Sequence, residues 1–160
     1  MTATSLCGQA VPAADPITGI WKLNVEKSKD ARPLPNSEFI TIVSQDTSYK
    51  FTFDIKQSND YNPKFEIVTD MKGTPVKPIN ADGRGTNDTW RVTRQGRKAF
   101  DMVLSSQGGG WADKYEVSSD GKTMTLHRVL DNKGLVGGYI EKDGTVRRQP
   151  EYVAVFDRVE

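Results

Sequence analysis

The stretch Trp111-Ala112-Asp113-Lys114-Tyr115-Glu116-Val117-Ser118-Ser119-Asp120-Gly121-Lys122-Thr123-Met124-Thr125-Leu126-His127-Arg128-Val129-Leu130 decides the fold class. Trp111, Tyr115 and Val117 alternate with other residues before the Asp120-Gly121 pair, and Met124, Leu126 and Leu130 alternate after it. Period two is the mark of a half-buried strand, and Asp-Gly supplies the dihedral angles that a tight hairpin turn demands. The spacing predicts an antiparallel hairpin over 111–118 and 122–130.

The same rhythm runs outward in both directions. Upstream, residues 98–105 place Phe100, Met102 and Leu104 on one face, Gln95-Gly96-Arg97 makes a turn, and residues 87–94 carry Trp90 and Val92. Residues 38–44 and 47–56 read as a second hairpin, with Phe39, Thr41 and Val43 or Ile40 and Ile42 facing inward on the first arm and Tyr49, Phe51, Phe53 and Ile55 on the second. Residues 65–69 form a further strand, and the Gly-, Pro-, Asn- and Asp-rich run 70–85 reads as a weak hairpin and a long loop. The first strand is Ile20-Trp21-Lys22-Leu23-Asn24, followed by a short helical turn over 25–30. Downstream, 131–134 is a turn, 135–141 a short strand and 151–159 a terminal strand.

No amphipathic helix of three turns interrupts this pattern, and no strand–helix–strand rhythm suggests a parallel sheet. Most adjacent strands are joined by short connections, which favours a meander over the crossovers of a Greek-key sandwich. Closing the meander hides the edges that so long a sheet would otherwise expose. The expected architecture is all-β, a single antiparallel up-and-down β-barrel of about 8–10 strands.

The chain has 160 residues, enough for one ordinary domain, which we place at 19–160 behind a flexible N-terminal arm or leader remnant over 1–18. With 22 Lys+Arg against 21 Asp+Glu the net charge is +1, which gives no electrostatic reason to expect nucleic acid or an anionic membrane surface as partner. The basic residues Arg147-Arg148, Arg94 and Arg97 are too few for a nucleic-acid footprint. No run approaches the roughly 18 apolar residues of an integral membrane segment. Residues 1–8 lack the basic flank and apolar stretch of a complete secretory signal, so the expectation is a cytoplasmic protein, or an exported one whose leader has been removed.

Chemistry is sparse. Cys7 has no second cysteine and His127 no second histidine, so neither a disulfide nor a Cys/His zinc set is expected. Gly108-Gly109-Gly110 lacks the Lys-Ser/Thr of a phosphate loop, no serine stands in a Gly-x-Ser-x-Gly elbow, and Asp82, Asn87 and Asp88 around Gly83 and Gly85 depart from calcium-loop spacing. No metal and no cofactor is expected.

Gly19-Ile20-Trp21 at the head of an antiparallel meander resembles the opening signature of lipocalins and of the wider calycin barrels. In that family the Trp closes the barrel floor and an Arg near the end of the last strand packs across it, so the resemblance assigns that role to Arg158. The longer run Gly19-Ile20-Trp21-Lys22-Leu23-Asn24 with Glu26-Lys27-Ser28-Lys29, and Ser119-Asp120-Gly121-Lys122-Thr123-Met124-Thr125-Leu126, is similar to small lipocalin-like proteins common in bacteria, many of them exported. The chain departs from secreted animal-type lipocalins in having no disulfide pair and no evident helix before the final strand.

A barrel of this size either fills its interior with side chains or keeps room for one small ligand. Phe53, Trp90, Phe100, Trp111 and Tyr115 are candidate apolar lining, with Trp21, Phe39, Phe51, Phe65 and Phe156 adding aromatic area. Asp113 shares parity with Trp111 and Tyr115, and Arg128 with Met124 and Leu126. If those faces point inward, a carboxylate and a guanidinium sit inside and must be paired or bind the polar end of a ligand. Tyr49, Tyr115 and Tyr139 are further hydrogen-bond donors.

The leading expectation is binding of a small hydrophobic molecule. The alternative is a cofactor-independent isomerase or cyclase acting on a polyketide- or terpenoid-like substrate, with His127 and Asp101 moving protons. Those two residues share neither the Arg128 face nor the Phe100 face, and must lie on one side of one sheet to cooperate. A third reading is a filled barrel acting as an interaction module.

Overall fold

The computed structural model describes residues 14–29, 34–58, 60, 62–83, 85–106, 109–130, 139–140, 146–147 and 152–159. Its strands are β1 (Gly19–Lys29), β2 (Ser37–Gln45), β3 (Ser48–Lys56), β4 (Lys64–Thr69), β5 (Lys72–Val76), β6 (Ile79–Asn80), β7 (Thr89–Arg94), β8 (Ala99–Ser106), β9 (Gly109–Val117), β10 (Thr123–Leu130), β11 (Tyr139–Ile140), β12 (Val146–Arg147) and β13 (Tyr152–Val159). Among the described residues there is no helix, and hence none long and apolar enough to cross a membrane.

Eleven strands form one antiparallel sheet in the order β5-β7-β8-β9-β10-β13-β1-β2-β3-β4-β6. The first strand therefore pairs with both the second and the last, with Trp21 opposite Ile40 on one side and Arg158 on the other. The sheet's two edges come from one stretch of chain, because β5 pairs with β7 while β6 crosses to pair with β4. Aromatic rings from opposite halves meet inside: Phe51 of β3 lies 5.4 Å from Phe100 of β8, and Phe65 of β4 lies 5.8 Å from Trp90 of β7. The meander thus curls into the up-and-down barrel its alternation predicts, with one seam beside β4 and β5 where the main ladder is interrupted.

Parity selects the interior. Trp21, Ile40, Ile42, Phe51, Ile67, Val92, Phe100, Met102, Met124, Ala154 and Phe156 are buried and make one continuous core. Each large apolar side chain so buried contributes roughly 1.5–3 kcal/mol relative to exposure. On β2 the inward set is Glu38, Ile40 and Ile42. Phe39 therefore faces outward, where Lys22 lies 5.9 Å from its ring centroid. It does not join the interior aromatics as its type suggests, because the pairing of Ile40 with Trp21 fixes the opposite face.

Two local expectations change. The helical turn expected over 25–30 is a bulged continuation of β1: the register with β13 shifts between Asn24 and Lys29. The Ser28 hydroxyl donates to Asn24 O (2.7 Å) and accepts from Val155 N (2.9 Å), so a side chain replaces the missing ladder bond. Asp30 lies outside the described residues. Of the strand expected over 135–141, Tyr139 and Ile140 pair with Arg147 and Val146 in a separate two-stranded ladder, and the rest lies outside the described residues.

The tight turns gather at one end, the floor: residues 46–47, 70–71, 95–98 and 118–122. Residues 14–18, expected as the end of an arm, pack there. Ile17 is fully buried, and Asp15 accepts from Arg94 Nη2 (2.8 Å) and Tyr49 OH (2.7 Å). Residues 1–13, including Cys7, lie outside the described residues. Arg158 lies over Trp21, with Cζ 4.2 Å from the indole centroid, and donates to the carbonyls of Gly121, Thr18 and Pro16 at 2.6–2.8 Å. Trp21 Nε1 in turn donates to Ile17 O (2.9 Å).

Candidate functional site

Above this packed floor the barrel opens into a cavity of about 460 Å³, bounded at the mouth by Leu34, Pro35, Gln57, Ser58, Pro63 and Asp88. Its wall is aromatic because inward positions on β3, β4, β7, β9 and β13 carry rings: Phe53, Phe65, Trp90, Trp111, Tyr115 and Tyr152. Phe53 stacks on Phe65 (4.8 Å between centroids, 14° between planes), and Trp90 meets Trp111 edge to face at 6.4 Å. Ile55, Leu104 and Leu126 complete the apolar surface.

One wall is polar. Asp113 stands opposite Arg128 in the β9–β10 ladder, both pointing inward. Arg128 Nε and Nη2 donate to the two Asp113 oxygens at 2.8 and 2.9 Å, a bidentate pair in which the Asp113 side chain is 3% exposed. The guanidinium also lies 4.6 Å from the Trp111 ring centroid and 4.8 Å from that of Tyr152. Burial raises the Asp113 pKa above the ordinary carboxylate value, and the bonds from Arg128 oppose this. For Arg128 the hydrogen-bonded carboxylate outweighs burial and raises the pKa, so the guanidinium stays charged. The Tyr115 hydroxyl is raised by burial and by the nearby Asp113 and Glu38.

Glu38, 8% exposed at the head of β2, reaches the same cavity. Burial pushes its carboxyl up to about 7, against the pull of Arg128 and with the repulsion of Asp113. No hydrogen bond from a described residue reaches this carboxyl. Two buried donors share its situation: among the described residues, the indole N–H groups of Trp90 and Trp111 have no hydrogen-bond partner. That of Trp111 helps hold the Asp113 carboxylate ionised, without attaining the geometry of a full hydrogen bond.

Of the residues singled out from sequence, the structure brings Phe53, Trp90, Trp111, Tyr115 and Arg128 together on the cavity surface, with Asp113 bound behind Arg128. Phe100 stands directly opposite Tyr115 in the β8–β9 ladder and stacks on it at 4.6 Å and 9°, so it supports the wall instead of lining it. His127 and Asp101 share a face, as cooperation between them requires, but it is the outer one. Lys114 stands between them, opposite Asp101 in one ladder and His127 in the next. Two strand spacings of about 4.8 Å separate their backbones, and Asp101 accepts from Gln95 Nε2 (2.9 Å). Both border a shallow outer groove with Lys114 and Glu116. Among the described residues no three His, Cys, Asp or Glu side chains cluster to hold a metal ion.

Sequence reasoning missed Glu38, Leu104, Leu126 and Tyr152 as lining residues, and named Phe65 only within the wider aromatic set. The signal for Glu38 was its shared parity with Ile40 and Ile42, the same argument that singled out Asp113 and Arg128. Phe65 and Tyr152 were legible as inward aromatics, but their height in the barrel was not.

No family model matches the chain, and no curated protein matches it in sequence. Solved structures do. Fatty-acid-binding protein 1 of Echinococcus granulosus superposes with a TM-score of 0.59 at 12% identity, over 91% of this chain and 98% of that one. The REP1-NXSQ fatty acid transporter gives 0.57 at 12% identity, over 92% and 98%, and the wild-type fluorescent protein UnaG gives 0.56 at 9% identity, over 90% and 98%. At such identities the likeness is one of fold, extending over nearly the whole of each chain. The chain folds as an antiparallel up-and-down β-barrel, the fold of these structures, and the architecture expected from the resemblance carried by Gly19-Ile20-Trp21.

Proposed function

We propose that this barrel binds a small, mainly apolar molecule in its interior. The observation that carries the reading is the cavity of about 460 Å³ whose wall is aromatic on several strands and whose charged groups below the mouth residues Gln57, Ser58 and Asp88 are Glu38 and Arg128, the latter paired with Asp113. A concave apolar surface with a small number of placed polar groups is the general form of a small-molecule site. The likeness to a fatty-acid-binding protein and a fatty acid transporter supports the same use of the space. In this reading Phe53, Trp90, Trp111 and Tyr115 provide contact area, Arg128 and Asp113 form the polar end, and Phe100 holds Tyr115 in place.

The test is titration with Nile red, a neutral apolar dye, followed by its fluorescence and by native mass spectrometry. The expected result is saturable binding of one dye per chain, lost in Leu104→Trp, which fills the cavity from β8 while keeping a native circular dichroism spectrum. Binding that survives Leu104→Trp, or that never saturates, would overturn the interior site.

A further inference from the structure

Resting on the reading of the cavity as a binding site, we propose that its ligand is a flat aromatic or conjugated molecule whose polar end is a neutral hydrogen-bond acceptor, a ketone- or quinone-type carbonyl, and that carboxylates are disfavoured.

The first observation is that the cavity's cation is already taken. Both Asp113 oxygens are bound by Arg128, so a ligand carboxylate would have to compete with a buried, bidentate intramolecular partner. Glu38 stands on the same side of the cavity and adds a second acidic group. Arg128, Asp113 and Glu38 together carry no net positive charge in any ionisation state of Glu38. An incoming anion therefore finds no excess charge to offset its own desolvation.

The second observation is an unmet demand for an acceptor. Trp90 and Trp111 both line the cavity; among the described residues the buried Trp90 Nε1 has no partner, and Trp111 Nε1 leans toward Asp113 without completing a bond. A buried N–H left unmade is costly, and a carbonyl oxygen in the cavity would satisfy it. A cationic head would meet these donors and Arg128 with the wrong sign.

The third is the shape of the wall. Phe53 and Phe65 are nearly parallel at 4.8 Å, Phe65 lies 5.8 Å from Trp90, and Trp90 is perpendicular to Trp111. Such a panel offers ring faces and edges to a planar guest, and selects it over a flexible chain that must lose rotamer freedom to bind.

Four probes with one bicyclic body separate these claims: acetylnaphthalene, ethylnaphthalene, naphthoate and naphthylmethylamine, each titrated into the full chain at neutral pH. Acetylnaphthalene is expected to bind about tenfold more tightly than ethylnaphthalene, the worth of one well-made hydrogen bond, and more tightly still than naphthoate. Trp90→Phe, which keeps an aromatic ring and removes the donor, should bring the ratio of acetylnaphthalene to ethylnaphthalene affinity close to one, whatever the smaller ring costs both probes in common. Equal binding of the acetyl and ethyl probes, or tightest binding of naphthoate or of the amine, would overturn the inference while leaving an interior site intact. Failure of all four to bind would overturn the inference together with the binding reading beneath it.

Discussion

Arg158 stacks on Trp21 with its guanidinium carbon 4.2 Å from the indole centroid, and the two residues sit directly opposite each other in the ladder between the last strand and the first. The guanidinium spends three N–H groups on the carbonyls of Pro16, Thr18 and Gly121, which ties the segment before β1, the β9–β10 turn and both terminal strands into one floor. Arg158→Lys keeps the charge but loses the planar fork. It is expected to destabilise the barrel by about 2–4 kcal/mol, the worth of two charge-assisted hydrogen bonds and part of a cation–π contact. Urea denaturation followed by circular dichroism reads this, and an unchanged midpoint would show that the floor does not depend on the fork.

The buried pair inside the cavity behaves differently from the floor. Arg128→Met strands the Asp113 carboxylate in an apolar wall and is expected to cost about 3–5 kcal/mol. Adding Asp113→Leu removes the stranded charge and should recover most of that loss. A double variant no more stable than Arg128→Met would mean that the pair's neighbours, and not the uncompensated charge, set the cost.

Glu38 makes stability depend on pH in a direction unusual for a carboxylate. Its ordinary value is 4.5 and in the folded chain it rises to about 7, so between these values the folded state binds more protons than the unfolded one. Stability contributed by this group is complete below about 4.5, falls as pH rises to about 7 and is level beyond, a loss of roughly 3 kcal/mol. The charged and titratable groups facing it are Arg128, Asp113 and Tyr115. Asp113, also raised by burial, adds a slope of the same sign. Glu38→Gln should flatten most of the decline in urea midpoints measured across this window. An equally steep profile in that variant would assign the slope elsewhere.

Asp15 supplies the opposite slope at lower pH. Burial raises its pKa, but the bonds from Arg94, Tyr49 and the Ile17 amide outweigh this and leave it below 3.8. Its contribution is present above that value and is lost as pH falls through the folded pKa. Asp15→Asn is therefore expected to lower stability at neutral pH, by an amount that shrinks as pH falls below 3.8. A loss that does not change with pH would mark the role of Asp15 as steric.

Gly110 on β9 has no room for a side chain: a Cβ there would sit 2.0 Å from the carbonyl oxygen of Leu104 on β8. Backbone cannot yield as a flexible side chain would. Gly110→Ala is expected to cost about 1–3 kcal/mol and to disturb Nile red binding through Leu104. Native stability in this variant would require the β8–β9 pairing to shift without penalty.

Much of this was legible in the chain itself, for reasons that differ by residue. Asp120-Gly121 and the alternation around it define β9 and β10 because turn chemistry and period two are local properties. The inward Asp113 and Arg128 follow from the same count of alternate residues. Phe39 shows where counting runs out: β2 is apolar on both faces, and only its pairing with β1, through Trp21 and Ile40, chooses between them. Glu38 was hidden by the same ambiguity. The bulge at Asn24 and Ser28 depends on a hydroxyl reaching Val155, a partner that no local window contains. Which inward ring lines the cavity, as Tyr115 does, and which packs against it, as Phe100 does, depends on how side chains from facing strands share the interior, and leaves no trace in composition.

The turns at the floor are short, and at the opposite end β3 and β4 are joined through 57–63 and β6 and β7 through 81–88, both longer. Lengthening a surface connection adds only logarithmically to its closure entropy, whereas the floor is fixed by specific atoms of Trp21, Arg158 and Asp15. Such a molecule divides its sequence into an anchor fixed by geometry and a rim whose length is thermodynamically cheap to change. Residues inserted at the rim leave the contacts that hold the barrel shut untouched.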